Sequence, residues 1–309
     1  MQLQRAGVVG GGTAGRGVAR ALAEAGVEVV LCEKGPEPLD QALHALREGM
    51  NRDIARWSIT TSERDAVMAR VQGSISLEAL AEVPVVVEAI WEDMKEKRAL
   101  LDRLDRTCLD STVFLTNTST LPVTDLAEAL PPRRRGRFAG LHFIHPVTRV
   151  PMAEVVRGRE TGAEALETAR GLARLLDKEP IEVSEYPGYV TTRLTLAIIN
   201  EAVTTLMEGV ATRDAIDRSM KLRFGWSLGP LALADEMGLD SIFRALTSLW
   251  DVLGLPQFRP CPLLRMMVMR GWLGEKSGRG FYRYDENGTR LEEEELDLSR
   301  PELDTIMDV

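Results

Sequence analysis

The chain holds three histidines in 309 residues. His142 and His145 share one segment, GLHFIHP at 140–146, and His44 stands alone. Histidine's unperturbed pKa lies nearest neutrality, so a pair closing an apolar run suits acid–base work. As metal ligands the two are poorly placed. Residues three apart on a strand face opposite sides, and no third ligand is near in sequence, so no metal is expected. Glu154 lies twelve residues beyond His142 on the next expected strand. There its carboxylate could meet the other ring nitrogen, fix the tautomer and stabilise an imidazolium. The structural alternative is a strand that simply ends in His-x-x-His-Pro.

A second chemical signal opens the chain, where an apolar run leads into Gly10-Gly11-Gly12-Thr13-Ala14-Gly15 and a helical pattern. Gly10 permits a tight turn, Gly12 lets the backbone approach a pyrophosphate, and Gly15 packs helix against strand. Thr13 and Ala14 complete the loop, and the helix that follows offers free N–H groups and a positive dipole end to phosphate. Glu33, 23 residues past Gly10 at the end of the next strand, can accept both ribose hydroxyls. Its charge repels a 2′-phosphate, which favours NAD over NADP, with Lys34 a minor opposing charge. FAD proteins share this fingerprint but usually carry a later Gly-Asp. The chain has no such dipeptide, so NAD is the better match.

These residues need elements to hold them. β-branched runs at 6–9, 27–32, 85–89, 113–116, 138–143, 153–156 and 181–183 alternate with helical patterns at 15–25, 38–57, 95–105 and 162–176. Near-continuous apolar runs suit strands buried on both faces of a mostly parallel sheet. The alternation predicts an α/β, Rossmann-type domain over 1–185. Beyond Tyr186-Pro187-Gly188 no strand is convincing. Leu194, Ile198, Ala202 and Leu206 suggest one apolar helical stripe, and further helices are expected at 213–221 and 231–253. An all-α C-terminal domain over 186–284 and an acidic tail over 285–309 complete the expected organisation.

Composition narrows the classes. The chain is 44% hydrophobic and 28% charged, with a formal net charge of −9, as in an ordinary soluble protein. Residues 285–309 hold ten acids and two bases, so the body is almost neutral. That gives no basic footprint for nucleic acid. No stretch approaches a membrane span, and neither a signal peptide nor a Cys/His ligand cluster is apparent. Cys32, Cys108 and Cys261 are expected as reduced thiols in a cytoplasmic protein. The basic run Arg133, Arg134, Arg135 and Arg137 reads as a solvated loop, or alternatively as a surface for a phosphopantetheine or carrier protein.

From Gly7 to about Tyr284 the chain resembles the L-3-hydroxyacyl-CoA dehydrogenases. The matching segments include GGGTAGRGVA, VVEAIWEDMKEK, TNTSTLPVT, FAGLHFIHPV, PMAEVV, PGYVTTRL and GWLGEKSGRGFYRYD, in that order. The resemblance implies an NAD-binding domain joined to a helical domain that usually dimerises, with the active site in the cleft between them. It implies that His142 is the base taking the 3-hydroxyl proton while hydride passes to NAD. Glu154 would orient His142, and Ser119 would contact substrate and nicotinamide. Glu92, Lys97, Asn117 and Lys276 fall at positions used around the cofactor. Without the resemblance, Glu92, Lys97 and Lys276 would read as surface charges.

Two departures stand out. The family's His-Phe-Phe-Asn-Pro is here His-Phe-Ile-His-Pro, which puts His145 in place of an Asn near the nicotinamide. The substrate-contacting Asn of Pro-Gly-Phe-x-x-Asn-Arg is here Thr192, which keeps one hydroxyl but reaches less far. For a CoA handle, the helix after Glu33 offers Arg47, Arg52 and Arg56 without a one-to-one match. The expected function is NAD-dependent oxidation of a short-chain L-3-hydroxyacyl-CoA by a homodimer. The alternatives are the same chemistry on a carrier-linked or free 3-hydroxy acid, and an NAD(H)-binding protein with little turnover. A short-chain-dehydrogenase reading fails because no Tyr is followed four residues later by Lys; Tyr189 is followed there by Arg193.

Overall fold

A computed structural model describes residues 2–286 and 288–291. The chain divides into two compact units, the first ending at Tyr189 and the second opening at Val190. The first unit runs β1 (Arg5–Val9), α1 (Thr13–Glu24), β2 (Glu28–Cys32), α2 (Pro36–Ala55), α3 (Thr61–Arg70), β3 (Val71–Ser74), β4 (Val85–Glu88), α4 (Met94–Thr107), β5 (Val113–Thr116), α5 (Val123–Ala127), α6 (Pro132–Arg135), β6 (Phe138–Phe143), β7 (Met152–Arg157), α7 (Ala163–Leu175) and β8 (Glu179–Ser184).

The eight strands form one sheet in the order β3-β2-β1-β4-β5-β6-β7-β8. Every neighbouring pair is parallel except β6–β7. Alternate residues feed two cores: Val8, Val29, Leu31 and Val87 pack on one face, and Val9, Val30, Val86 and Phe114 on the other. Burial on both faces is why the strands read as continuous apolar runs. Strand order reverses at β1, which pairs with both β2 and β4. In open α/β sheets the crevice beyond the strand ends at such a reversal is where ligands bind.

The second unit runs α8 (Thr191–Met207), α9 (Arg213–Phe224), α10 (Pro230–Met237), α11 (Leu239–Leu253) and α12 (Pro262–Met269). Its described residues contain isolated bridges but no strand element, so the domain is helical as expected. Asp217 on α9 accepts the Leu231 and Ala232 amides at 2.8 and 2.9 Å, and so caps α10 from outside. Of the acidic segment, residues 292–309 lie outside the described residues. Arg290, just before them, pairs with Asp214 and covers the Tyr282 ring.

Several expectations change. The strand at 71–74 and the helices at 61–70 and 262–269 are additional. The single helix expected over 231–253 is two, broken at Gly238, whose φ of +89° no α-helix contains. The buried stripe of α8 is Leu196, Ile199, Val203 and Leu206, while Leu194 is exposed. A strict four-residue repeat drifts about 40° per step around a helix of 3.6 residues per turn, so it cannot keep to one face.

The basic run is not uniformly solvated: Pro132–Arg135 form α6, where Arg133 is exposed and Arg134 is buried. Arg134 is fully buried over the Phe114 ring, paired with Asp105 at 2.9 Å, and donates to the Cys108, Leu109 and Thr112 carbonyls. Arg133, Arg135 and Arg137 pair with Asp105, Glu160 and Glu164. Arg134→Ala strands three carbonyls and a carboxylate. It should lower unfolding free energy by about 3 kcal/mol in urea melts; a loss below about 1 kcal/mol would contradict a structural role.

Candidate active site

At the end of β1 the chain must turn sharply under α1. Gly10 does this at φ +102°, and a Cβ there would lie 2.6 Å from the Ala89 carbonyl oxygen. A Cβ on Gly15 would collide with the Gly10 carbonyl. A Cβ on Gly12 meets nothing within 4 Å, so the loop is open on that side. Gly12 is also the N-cap of α1 and supplies no side-chain cap, which leaves the first-turn amides, Thr13 and Ala14 among them, for an external acceptor. Glu33 takes the Gly11 amide at 2.6 Å on one oxygen and the Lys34 amide at 3.0 Å on the other. A carboxylate fixed at this edge keeps lone pairs for ribose hydroxyls. The cradle fits a dinucleotide.

Sequence reasoning missed Arg16, which donates to the Gly11 carbonyl at 2.7 Å and braces the loop. Burial and the nearby Arg52 charge lower its pKa. Its place directly after the third motif glycine was the available signal.

The acid–base pair comes from the one antiparallel pairing of the sheet. β6 and β7 set His142 directly opposite Glu154, so both side chains leave the same face. His142 Nδ1 lies 2.7 Å from Glu154 Oε2; Glu154 is fully buried and His142 is 7% exposed. A buried carboxylate facing Nδ1 favours the tautomer protonated there, which leaves Nε2 as the basic nitrogen. Asn117, at the end of β5, accepts the Phe143 amide at 2.8 Å and so pins β6 beside β5. His145 precedes Pro146 through a cis peptide bond.

The loop after β5 is organised by Glu92. Its Oε1 accepts from Thr118 Oγ1 at 2.6 Å, the Ser119 and Thr120 amides at 2.9 Å each, and Thr120 Oγ1 at 3.0 Å. Ser119 is therefore held by its backbone, and its hydroxyl is only 3.5 Å from the same oxygen. Behind Glu92 stands Lys97, which is buried and not a surface charge. Its Nζ lies 3.5 Å from Glu92 Oε2 and donates to Glu88 Oε1 at 2.6 Å. Glu88 is equally buried and also accepts from Thr116 at 2.6 Å and the Ile90 amide at 2.8 Å. Sequence reasoning missed it, although a carboxylate ending the buried run VVVE was a signal.

The remaining candidates are placed separately. Thr192 lies in the first turn of α8 and Lys276 in a single 3₁₀ turn, paired with Asp240; both belong to the second unit. Arg47, Arg52 and Arg56 are exposed on or just after α2, beside Trp57, which is 95% exposed. Among the described residues no group of three His, Cys, Asp or Glu side chains could hold a metal, and no helix is long and apolar enough to cross a membrane.

Burial opposes ionisation of Glu92, but Lys97 and the donors from Thr118, Thr120 and Ser119 outweigh it, so its pKa is lowered. A lowered acid stabilises the fold fully above its unfolded value, near ~4.3. That contribution is lost as pH falls through the lower native value. The Tm gap between wild type and Glu92→Gln should hold steady at neutral pH and narrow below about pH 4.5. A gap unchanged down to about pH 3 would contradict the ionised clamp.

Comparison with known proteins agrees with this geometry. Residues 5–186 match the family described as 3-hydroxyacyl-CoA dehydrogenase, NAD binding domain, and residues 188–284 match its C-terminal domain. A probable 3-hydroxybutyryl-CoA dehydrogenase of Bacillus subtilis is 40% identical over 286 residues, which is 93% of this chain and 99% of that protein. The crystal structure of M. tuberculosis FadB2 superposes with a TM-score of 0.86 at 32% identity, covering 92% of this chain and 100% of that one. That of (S)-3-hydroxybutyryl-CoA dehydrogenase PaaH1 from Ralstonia eutropha gives 0.79 at 34% identity, with the same coverage. With both domains matched along their length, and the nucleotide cradle and buried histidine–carboxylate pair in the first of them, the chain belongs to the 3-hydroxyacyl-CoA dehydrogenase family.

Proposed function

We propose that this protein oxidises the 3-hydroxyl of a short-chain L-3-hydroxyacyl-CoA to the 3-oxo thioester, reversibly and with NAD. The observation that carries the reading is the buried His142–Glu154 pair at 2.7 Å within the family's NAD-binding domain. Bound NAD supplies the hydride acceptor. The chain's own residues handle the proton: His142 Nε2 removes it from the 3-hydroxyl and returns it to the alkoxide in the reverse direction. Glu154 keeps Nδ1 protonated and offsets the imidazolium charge. Ser119, on the loop that Glu92 holds, contacts the reacting oxygen. Gly10, Gly12, Thr13, Ala14, Gly15 and Glu33 bind the dinucleotide, with Asn117 and His145 beside it and Lys97 acting through Glu92. Arg47, Arg52 and Arg56 offer charge for CoA phosphates, and the named relatives are 3-hydroxybutyryl-CoA dehydrogenases.

Thr192 favours a second reading. It stands where the family has a longer, amide-bearing Asn, and on this reading the acyl group is a carrier-linked or free 3-oxo acid. An NADH-oxidation panel separates the two: acetoacetyl-CoA should give the highest kcat/KM, and preference for a free or carrier-linked acid would favour the second. His142→Gln should abolish turnover and retain NADH binding. Glu154→Gln should slow turnover about 10²-fold. A His142 variant that keeps most of the rate would contradict the assignment.

The second unit exposes Leu222, Phe224, Val252 and Met269, apolar surface that suits a homodimer through the helical domain. Light scattering should give twice the 34.2 kDa chain mass, and a monomer at micromolar concentration would contradict it. Three free, buried cysteines suit the reducing cytoplasm.

A further inference from the structure

Tyr189, the last residue of the first unit, sits in surroundings that suit its ring and not its hydroxyl. Its φ of +41° lies in the left-handed region, which a bulky residue adopts only where its surroundings impose it. The residue is 4% exposed and joins the apolar cluster of Val123, Phe138 and Val156. Its ring also packs against the His142 imidazole, with centroids 5.6 Å apart. The phenolic oxygen is buried and has no hydrogen-bond partner among the described residues.

A phenylalanine would fill the same space without stranding a polar atom. A buried hydroxyl that is costly and unpaired in the free protein is explained by a partner that arrives with a ligand. Burial, followed by the charges of Glu92, Glu185 and Glu154, raises the phenol pKa well above its ordinary value. The group is therefore a donor throughout the working pH range, and its partner must be an acceptor.

We infer that the Tyr189 hydroxyl is a ligand-contacting donor that hydrogen-bonds a carbonyl or alkoxide oxygen brought beside the His142 imidazole. The inference rests on the proposed 3-hydroxyacyl oxidoreduction. Two sources carry such an oxygen, the acyl substrate and the nicotinamide carboxamide, and the test separates them.

Tyr189→Phe removes one oxygen and keeps the ring. Its Tm should equal or exceed that of wild type, because an unpaired buried polar atom is gone. If the acceptor is on the acyl substrate, kcat/KM for acetoacetyl-CoA falls about tenfold or more while NADH affinity by fluorescence titration stays within about twofold. If it is the carboxamide, NADH affinity falls as well. The pH at the midpoint of the kcat/KM profile should not move. A shifted midpoint would assign the hydroxyl to His142 titration and overturn the inference, as would a variant matching wild type in both rate and NADH affinity. A wild type that neither binds nor turns over acetoacetyl-CoA would overturn the functional reading and this inference together.

Discussion

Glu154 holds a carboxylate with no solvent exposure in the interior of a sheet. An unpaired charge there would cost several kcal/mol, so its placement depends on the imidazole directly across from it. The pairing in turn dictates the topology around it. Directly opposed residues sharing one face arise naturally in an antiparallel ladder, and β6–β7 is the only neighbouring pair of that kind in an otherwise parallel sheet. Asn117 ties β6 to β5 and β8 covers the far edge of β7, so both strands carrying the pair are held from outside. The reversal of direction at β7 is thus part of the chemistry as well as of the fold.

A second line of charge runs from the buried Glu88 and Lys97 outward to Glu92 and ends on the Ser119 loop. Lys97 is 1% exposed, and a lysine so buried is tolerable only between carboxylates. The ionised Glu92 then collects hydroxyl and amide donors from three consecutive residues, which turns a loop into a fixed platform. The nucleotide cradle, the imidazole and this platform belong to loops or strand ends of one sheet. Their spacing is therefore set by strand register and not by flexible segments.

Much of this was legible in the residues, and the failures have physical causes. The strands buried on both faces announced themselves, and so did the glycine loop, whose demands on φ and on close approach only glycine meets. β3 was illegible because its VQGS has one buried apolar residue, and Gly73 is there to let Leu39 and Leu43 approach. α3 carries a capping box of Thr60 and Glu63 that was visible, but its apolar face is a single buried Val67. The arginine run misled because burial of Arg134 depends on Asp105 and on carbonyls more than twenty residues away, which spacing does not reveal. Glu154 could be matched to His142 by spacing, but only the β6–β7 register determines that the two face one another.

Glu154 holds His142 with its proton on Nδ1 and its lone pair on Nε2. With three histidines in the chain, ring ¹⁵N chemical shifts can be assigned and read directly. The neutral imidazole should show a protonated Nδ1 and an unprotonated Nε2, with that preference lost in Glu154→Gln. A His142 ring protonated on Nε2 in the wild-type protein would contradict it.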